Sequence, residues 1–344
     1  MRAALLYGQQ DVRLEEVSTP IAAAGEVLVQ VAVAPTCGTD LKVWLRGGHA
    51  RMLTPPTPFG HEFAGTILAV GEGVSSWQPG ERVVANNSAP CFECFYCRRE
   101  RYSLCENLLF HNGTFAEIVC LPAAIVRHNL LAVPDGLPLE LAAMSEPLAC
   151  VLHGVEEAGV VPGDQVVVMG DGAIGLMLVA VCALRGATVI LSGGQTSRLA
   201  LGRQLGAGAV LNYRESPDPV VSLRKLANDG RGADVVIEAT GSPAAWQMAI
   251  AAARPGATVL LFGGCPRGTS IAVDTENLHY NELTLKGVFH NTPRHLREAL
   301  ALLASRQLPF ELLISDRLPL AKLNTALERM RDRTAVKVAI LPGD

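Results

Sequence analysis

A glycine-interrupted apolar stretch in the middle of the chain limits the possible folds more than any other feature. Residues 166–184 read VVVMGDGAIGLMLVAVCAL, a buried-strand pattern followed by a glycine turn and an apolar helical pattern. The stretch is long enough to cross a membrane, but Asp171 and three glycines interrupt it, so we expect no membrane association. Further apolar runs (ATVIL, AVLN, DVVIEAT, TVLLFGG and LTLKGVF) alternate with helical patterns up to about residue 290. This alternation predicts a doubly wound parallel sheet.

The rest of the chain has a different pattern. Short β-like runs (AALLY, EVLVQVAVA, FAGTILAVG, ERVVA and FAEIVCL) are separated by Gly and Pro turns. The tail from about residue 291 carries two amphipathic helical patterns and the strand-like AVKVAIL, and it is too short to form a third domain. We predict an α/β protein with a mostly β domain, residues 1–150 and 291–344, and a doubly wound domain, residues 151–290.

Charge and cysteine usage indicate where such a chain works. The 344 residues carry a formal net charge of -4, so clustered positive charge for nucleic acid is missing. The first residues, MRAALLYGQQDVRLEEV, have no apolar signal core, which favours a cytoplasmic location. Nine cysteines are an odd number, which argues against a disulfide framework and for a reducing compartment.

Four of the cysteines are clustered. Cys91, Cys94, Cys97 and Cys105 follow the spacing C-x2-C-x2-C-x7-C, which lets one lobe, residues 88–108, wrap four thiolates around zinc. Because all four positions are filled by cysteine, such a site has no room for a substrate and predicts a structural zinc. An iron–sulfur cluster or free thiols are the alternatives.

The glycine turn predicts a phosphate-binding loop. Its G-x-G-x-x-G pattern follows a strand and opens a helix, as dinucleotide binding requires. The loop comprises Gly170, Gly172, Ala173, Ile174 and Gly175. An ordinary glycine turn of an α/β sheet is the alternative interpretation.

The end of the next strand bears on the choice of nucleotide. An NAD site has an acid there, which accepts hydrogen bonds from the adenosine ribose, but this chain has Gly193. Neighbouring donors could bind a 2'-phosphate, and they are Ser192, Thr196, Ser197 and Arg198. We therefore predict NADP ahead of NAD, with Arg198 as a plain surface charge on a helix as the competing interpretation.

Three separated fragments carry further metal-ligating residue types: PTCGTDLK, FGHEFAG and SEPLACVLH. They contain Cys37, Thr39, Asp40, Lys42, His61, Glu62, Glu146 and His153. A thiolate, an imidazole and a carboxylate suffice to hold zinc with one open position, which catalysis needs. Singly, Cys37 and His61 could be ordinary buried residues. Asp40 and His153 are expected to orient ligands or to be structural.

These motifs together resemble the zinc-dependent medium-chain dehydrogenases/reductases, which include alcohol, sorbitol and threonine dehydrogenases. The resemblance covers the whole chain and includes CGTD, GHEFAGTILAVG, GERVV, the cysteine lobe, EPLA and GDGAIG. It implies a GroES-like β domain and a Rossmann domain, and Cys37 and His61 as ligands of catalytic zinc, with Glu62 or Glu146 as the third. It also implies that Thr39 starts a proton relay and that Thr240, Gly264 and Phe289 line the coenzyme. Many members have histidine where Lys42 stands.

The expected function is reversible hydride transfer between an alcohol carbon and a nicotinamide, with zinc as Lewis acid. Polar groups near Trp44, in RGGHARM and in FHNTPRH favour a secondary alcohol, polyol or the matching ketone. A primary alcohol, aldehyde or amino-alcohol dehydrogenase using NAD is the first alternative. A nucleic-acid-binding module and a non-catalytic nucleotide-binding redox sensor are the alternatives from other classes. The resemblance also implies a homodimer or homotetramer, with LTLKGVF as an element that could pair across a two-fold axis.

Overall fold

A computed structural model describes residues 1–49 and 52–344 of the chain. The strands among these residues are β1 (Arg2–Gly8), β2 (Asp11–Glu16), β3 (Val27–Pro35), β4 (Thr57–Pro58), β5 (Ala64–Val70), β6 (Arg82–Ala85), β7 (Ser88–Ala89), β8 (Leu109–Phe110), β9 (Ile118–Leu121), β10 (Leu130–Ala132), β11 (Gln165–Met169), β12 (Thr188–Gly193), β13 (Ala207–Asn212), β14 (Ala233–Glu238), β15 (Ala253–Leu261), β16 (Thr284–Gly287), β17 (Ile314–Pro319) and β18 (Lys337–Leu341). The helices are α1 (Gly38–Arg46), α2 (Ala123–Asn129), α3 (Leu139–Ala142), α4 (Ser145–Glu157), α5 (Ala173–Leu184), α6 (Thr196–Gln204), α7 (Pro219–Leu226), α8 (Pro243–Ala252), α9 (Thr275–Tyr280), α10 (Pro293–Ser305) and α11 (Leu323–Arg331).

The first of two compact units consists of Met1–Ala149 and Asn291–Asp344. Its main sheet has the strand order β10-β6-β5-β3-β18-β17, and β9 also pairs with β3. The strand-like tail AVKVAIL forms β18, which runs antiparallel to β3. The centre of this unit is apolar, and Phe59 and Phe115 meet there edge to face with ring centroids 5.5 Å apart. The β-like runs seen in the sequence are confirmed as strands.

The second unit, Cys150–His290, contains one sheet. Its strand order is β13-β12-β11-β14-β15-β16, and every neighbouring pair is parallel. The predicted doubly wound parallel sheet is thereby confirmed. The valines of β11 are fully buried because helices cover both faces of such a sheet. Helix α5 is apolar on all sides and buried from Gly175 to Cys182, which explains why its sequence resembles a membrane span.

Within the described residues, no helix combines the length and the apolar character that crossing a membrane demands.

Candidate active site and metal centres

The cysteine lobe is closed at its base by a small sheet. Strands β7 and β8 pair antiparallel, Ser88 with Phe110 and Ala89 with Leu109, and the four clustered cysteines lie between them. No disulfide joins any of the cysteines in the described part of the chain. The lobe sulfur atoms lie within 4.8 Å of one another, and the separations are 3.4 Å for Cys91–Cys105 and 4.0 Å for both Cys91–Cys97 and Cys94–Cys105.

This geometry fits tetrahedral zinc. Zn–S bonds of about 2.3 Å separate tetrahedral sulfur atoms by about 3.8 Å, which lies inside the observed spread. Backbone N–H groups donate to two of the sulfurs, from Cys91 to Cys105 at 3.2 Å and from Glu106 to Cys94 at 3.5 Å. The backbone N–H groups of Glu93 and Cys94 lower the pKa of the Cys91 thiol to about 6. Donors of this kind favour the thiolates that zinc binds.

The second cluster lies at one edge of the first unit's main sheet. Strand β3 is the neighbour of both β5 and β18, and it runs antiparallel to each. The end of β3 therefore meets the starts of β5 and β18. Cys37 follows β3, His61 and Glu62 precede β5, and Lys337 begins β18. The sheet topology thus brings together residues that are far apart in the sequence.

Cys37 is also the N-cap residue of α1. Its Sγ accepts from the backbone N–H of Thr39 at 3.4 Å, while the Asp40 carboxylate accepts from the Cys37 backbone N–H at 2.9 Å. This reciprocal pair is a capping box, and it fixes the thiol at the positive end of the helix. Cys37 itself is only 7% exposed.

Asp40 also orients the imidazole. Its Oδ1 lies 2.9 Å from Nδ1 of His61, which donates to it, so Nε2 is the nitrogen left for a metal. Burial by itself lowers the pKa of His61, but the Asp40 carboxylate outweighs it, and the pKa is well above the usual value. Asp40 therefore occupies the orienting position that the sequence predicts for it.

Glu62 is a fully buried carboxylate with one oxygen paired. Its Oε2 accepts from Nζ of Lys337 at 2.6 Å, and that ammonium also donates to the Thr36 carbonyl at 2.9 Å. Its Oε1 is buried and has no hydrogen-bond partner among the described residues. A buried unpaired carboxylate oxygen is costly, so a cation beside it would be stabilising.

The donor set fits a zinc ion. One ligand atom each from Cys37, His61 and Glu62 lies within 4.8 Å of the others. Burial, followed by the Glu62 charge, raises the pKa of Cys37, and burial also raises the pKa of Glu62 against the opposing effect of Lys337. A divalent cation would compensate both negative groups at once. Three protein ligands also leave the open position that a catalytic zinc requires.

The other predicted residues of this region lie as follows. Glu146 does not belong to the described cluster of metal-ligating atoms at Cys37, His61 and Glu62. It is buried in α4, and its Oε1 accepts from Nδ2 of Asn291 at 3.4 Å. His153, also in α4, has Nδ1 2.7 Å from the His290 carbonyl oxygen. Thr39 and Lys42 are half-buried on α1.

The glycine turn has the shape of a phosphate cradle. A Cβ on Gly175 would lie 1.8 Å from the Gly170 carbonyl oxygen, so the helix packs against the turn only with glycine there. A Cβ on Gly172 would meet nothing within 4 Å, which leaves open space in front of the turn. Gly172 caps α5 without a side-chain bond, and Ala173 and Ile174 supply the first helical N–H groups. Such a helix start fits a pyrophosphate.

Beside the cradle is an acid that the sequence analysis did not single out. Glu238 ends β14, is 0% exposed, and accepts from the backbone N–H and hydroxyl of Thr240 and from the Gly241 N–H. It therefore fixes the loop that carries Thr240. A Cβ on Gly264 would meet nothing within 4 Å, and Phe289 is half-buried near the end of the last strand of this sheet. Glu238 could have been found as an acid at the carboxyl end of a buried strand.

The end of β12 lies next to a second acid that was not predicted as a site residue, Asp171. Ser192 and Gly193 are buried at the end of β12, and Arg198 is half-buried on α6. The Asp171 carboxylate, from the glycine turn, accepts from the backbone N–H groups of Gly194 and Gln195.

The predicted substrate segments have mixed outcomes. Trp44 is buried in the apolar core of the first unit, with Nε1 unpartnered among the described residues. Residues 50 and 51 of RGGHARM lie outside the described residues, while Nδ1 of His49 accepts from the Met52 N–H at 3.1 Å. In FHNTPRH, Arg294 pairs with Glu298 at 2.8 Å.

Two family models match the chain, one to each kind of fold. Residues 23–135 match the alcohol dehydrogenase GroES-like domain, and residues 173–305 match the zinc-binding dehydrogenase model. The sorbitol dehydrogenase of Bacillus subtilis is 30% identical, over 100% of this chain and 98% of that protein. The L-threonine 3-dehydrogenase of Bacillus licheniformis is 33% identical, over 97% of this chain and 96% of that protein.

A solved structure is equally similar. A protein of Sinorhizobium meliloti 1021, described as a zinc-binding dehydrogenase and bound to NADP, has a TM-score of 0.90 and 30% identity, with 99% of each chain covered. A GroES-like domain, a Rossmann-like sheet, a four-cysteine cluster and a Cys/His/Glu site define a zinc-dependent dehydrogenase. The chain belongs to the zinc-containing medium-chain alcohol dehydrogenase family, whose members include sorbitol and threonine dehydrogenases. It is a zinc-dependent alcohol or polyol dehydrogenase.

Proposed function

We propose that this protein transfers a hydride between a secondary alcohol or polyol and a nicotinamide nucleotide, with NADP favoured over NAD. The observation that carries the proposal is the buried group of Cys37, His61 and Glu62, with Asp40 orienting the imidazole and one Glu62 oxygen unpartnered among the described residues. A zinc ion held there would supply Lewis acidity toward the alcohol oxygen. Cys91, Cys94, Cys97 and Cys105 would hold a second, structural zinc.

The protein's own groups divide the remaining work. Thr39 takes the alcohol proton and passes it outward, while the hydride leaves the carbinol carbon for the nicotinamide ring, so an alcohol becomes a ketone. Asp40 holds His61 in one tautomer, and Lys337 neutralises Glu62. Glu62 is the proposed third metal ligand, and Glu146 is the alternative that the family resemblance also allows.

The substrate class rests on chemistry shared by the relatives. Sorbitol and threonine, the substrates in the relatives' names, both carry a secondary hydroxyl group. NADP is favoured because Gly193 replaces the usual strand-end acid, and because a relative with 30% identity has been solved with NADP. An amino alcohol of the threonine type, oxidised with NAD, is the second candidate, since one relative is a threonine dehydrogenase.

The test is a panel of polyols, amino alcohols, primary alcohols and aldehydes, each assayed with NADP and NAD or their reduced forms. We expect the highest kcat/KM for a secondary alcohol or polyol with NADP. A best substrate that is a primary alcohol, or a strong preference for NAD, would contradict the corresponding part of the proposal. No turnover of any substrate by zinc-loaded protein would favour a nucleotide-binding sensor.

We also propose a homodimer or homotetramer. Strand β16 ends the parallel sheet of the second unit, so its outer edge could pair with the same strand of another copy. Light scattering should give a mass at least twice that of one chain, and a monomeric mass would refute the proposal. Location in the cytoplasm stays a prediction from the sequence.

A further inference from the structure

The end of strand β12 lacks a side chain because another residue fills that space. A Cβ on Gly193 would lie 2.6 Å from Cβ of Asp171 and 2.7 Å from its Oδ2. Both contacts are shorter than side chains tolerate, and Cβ of Asp171 cannot swing away as the end of a long side chain could. Residue 193 can therefore carry no side chain, and no acid, as long as Asp171 occupies this space.

Hydrogen bonds hold the Asp171 carboxylate in this place. Its Oδ2 accepts from the backbone N–H of Gly194 at 2.8 Å and from that of Gln195 at 2.9 Å, and the residue is 8% exposed. Gln195 precedes the first turn of α6, where the helix dipole favours a negative charge. A carboxylate has about four acceptor positions, so those not used by the two N–H groups could serve a ligand.

In a doubly wound domain this place has a defined use. The acid at the end of the second strand accepts from the adenosine ribose hydroxyls of NAD, and its charge opposes the 2'-phosphate of NADP. We propose that Asp171 supplies this carboxylate from the glycine turn, so that it binds the ribose and limits the preference for NADP. The inference rests on the proposed nicotinamide-dependent function, and it makes Asp171 a specificity-determining residue.

Arg214, in the loop after β13, would favour NADP, whereas Asp171 would favour NAD. A Cβ on Gly194 would lie 2.8 Å from Nε of Arg214, which places this exposed guanidinium on the same loop that Asp171 holds. Arg214 could donate to a 2'-phosphate, as guanidinium groups commonly do. The nucleotide preference is then set by the balance between Asp171 and Arg214, and the enzyme should accept both nucleotides.

The experiment measures binding, without turnover. Adenosine 2',5'-bisphosphate stands for the adenosine half of NADP, and 5'-AMP for that of NAD. Calorimetry on the zinc-loaded full chain gives the ratio of their dissociation constants. In Asp171→Asn the amide oxygen can still accept from the loop, but the charge is gone. We expect the affinity ratio to move toward the bisphosphate by about tenfold, as expected for one charge at a partly solvated site.

The matched control is Asp164→Asn at the opposite end of β11. Asp164 also accepts one loop N–H, that of Val161 at 2.9 Å, and loses the same charge. Its ratio should stay within twofold of the unsubstituted protein. A ratio equally unchanged in Asp171→Asn would overturn the inference.

A double variant tests the same point from the other side. Asp171→Gly combined with Gly193→Asp moves the carboxylate to the strand end and removes the clash that Gly193→Asp alone would create. It should return the ratio to within about threefold of the unsubstituted value, whereas a ratio as high as that of Asp171→Asn would contradict the inference. If the unsubstituted protein bound neither nucleotide, the proposed function itself would fail, and this inference with it.

Discussion

The cysteine lobe takes its four sulfur atoms from residues 91–105, whereas the buried site takes its metal-ligating atoms from residues after β3 and before β5, and its ammonium from β18. In the lobe, neutral backbone N–H groups donate to the sulfur atoms of Cys94 and Cys105, and two of the four cysteines are half-buried while the other two are buried. In the buried site, charged groups meet among side chains that are each at most 7% exposed. The lobe is thus a local structure that a metal completes, and the buried site is a product of the whole sheet.

Removing one metal ligand from the buried site and one from the cysteine lobe should have the most different effects on activity and stability. Cys37→Ser and His61→Ala should each lower kcat/KM by at least about 10³-fold, because zinc contributes several kcal/mol to transition-state stabilisation. In metal-free protein Cys37→Ser should leave the melting temperature nearly unchanged, whereas His61→Ala should lower it because the buried Asp40 carboxylate loses its partner. Cys94→Ser should instead lower the melting temperature by about 5 °C or more, with kcat/KM within about threefold when assayed well below it.

Cys120→Ser is the control for these thiol substitutions. Its Sγ donates to Glu26 Oε2 at 3.3 Å, and Cys120 belongs to none of the described clusters of metal-ligating residues. It should leave both activity and melting temperature nearly unchanged. Unaltered turnover in Cys37→Ser would remove the buried site from the reaction.

The buried ion pair gives the next largest effect. Lys337→Met leaves the Glu62 charge uncompensated, which costs about 3–5 kcal/mol in metal-free protein. In zinc-loaded protein the cation remains beside Glu62, so the loss of unfolding free energy should be smaller. Denaturant unfolding with and without zinc measures both.

Lys286→Met is the matched control, since that lysine pairs with Glu157 at 2.5 Å but is 41% exposed. It should cost less than about 1 kcal/mol with or without metal. Equal destabilisation of Lys337→Met in the two metal states would show that the metal does not lie next to Glu62.

Asp40→Asn should have an intermediate effect on the buried site. The amide can still accept from His61, but it presents a donor where the Cys37 N–H needs an acceptor, and the charge is lost. Zinc affinity should fall by about 10–100-fold, as for other groups that orient metal ligands. Asp218→Asn, at the start of α7, is the control, because that carboxylate also accepts a backbone N–H at a helix start and belongs to none of the described clusters of metal-ligating residues. A competition titration with a chelator decides, and an unchanged affinity would contradict the orienting role.

Thiol reactivity shows the smallest and most local difference. In metal-free protein at pH 7, Cys91, with a pKa of about 6, should be alkylated at least about 100-fold faster than Cys37, whose pKa is raised by burial. Below about pH 6 protonation removes the Cys91 thiolate, so its rate should fall about tenfold per pH unit. Mass spectrometry after timed iodoacetamide labelling resolves the two sites. Comparable rates for both thiols would erase the proposed contrast between them.

The same contrast explains what the sequence could predict. The lobe cysteines and the glycine turn follow from spacing within a few residues, and the parallel sheet follows from alternating patterns. The site at Cys37 needed three fragments and a family resemblance, and its lysine was not foreseen because Lys337 lies 275 positions from Glu62. A local sequence pattern cannot predict a contact between residues that are so far apart in the chain.

Two acids of the nucleotide domain were also missed, for different reasons. Glu238 ends a buried strand, and that position alone could have identified it. Asp171 lies between the first two glycines of the G-x-G-x-x-G motif, at a position that the motif does not specify. Its proximity to Gly193 depends on how two loops pack. Trp44, predicted near the substrate, lies in the apolar core.

Zinc stoichiometry tests the central claim most directly. Elemental analysis of metal-replete protein should find two zinc ions per chain, and the double variant Cys37→Ser with His61→Ala should retain one, held by the cysteine lobe. A single zinc in both proteins would mean that the buried group of thiol, imidazole and carboxylate holds no metal, which would contradict the account.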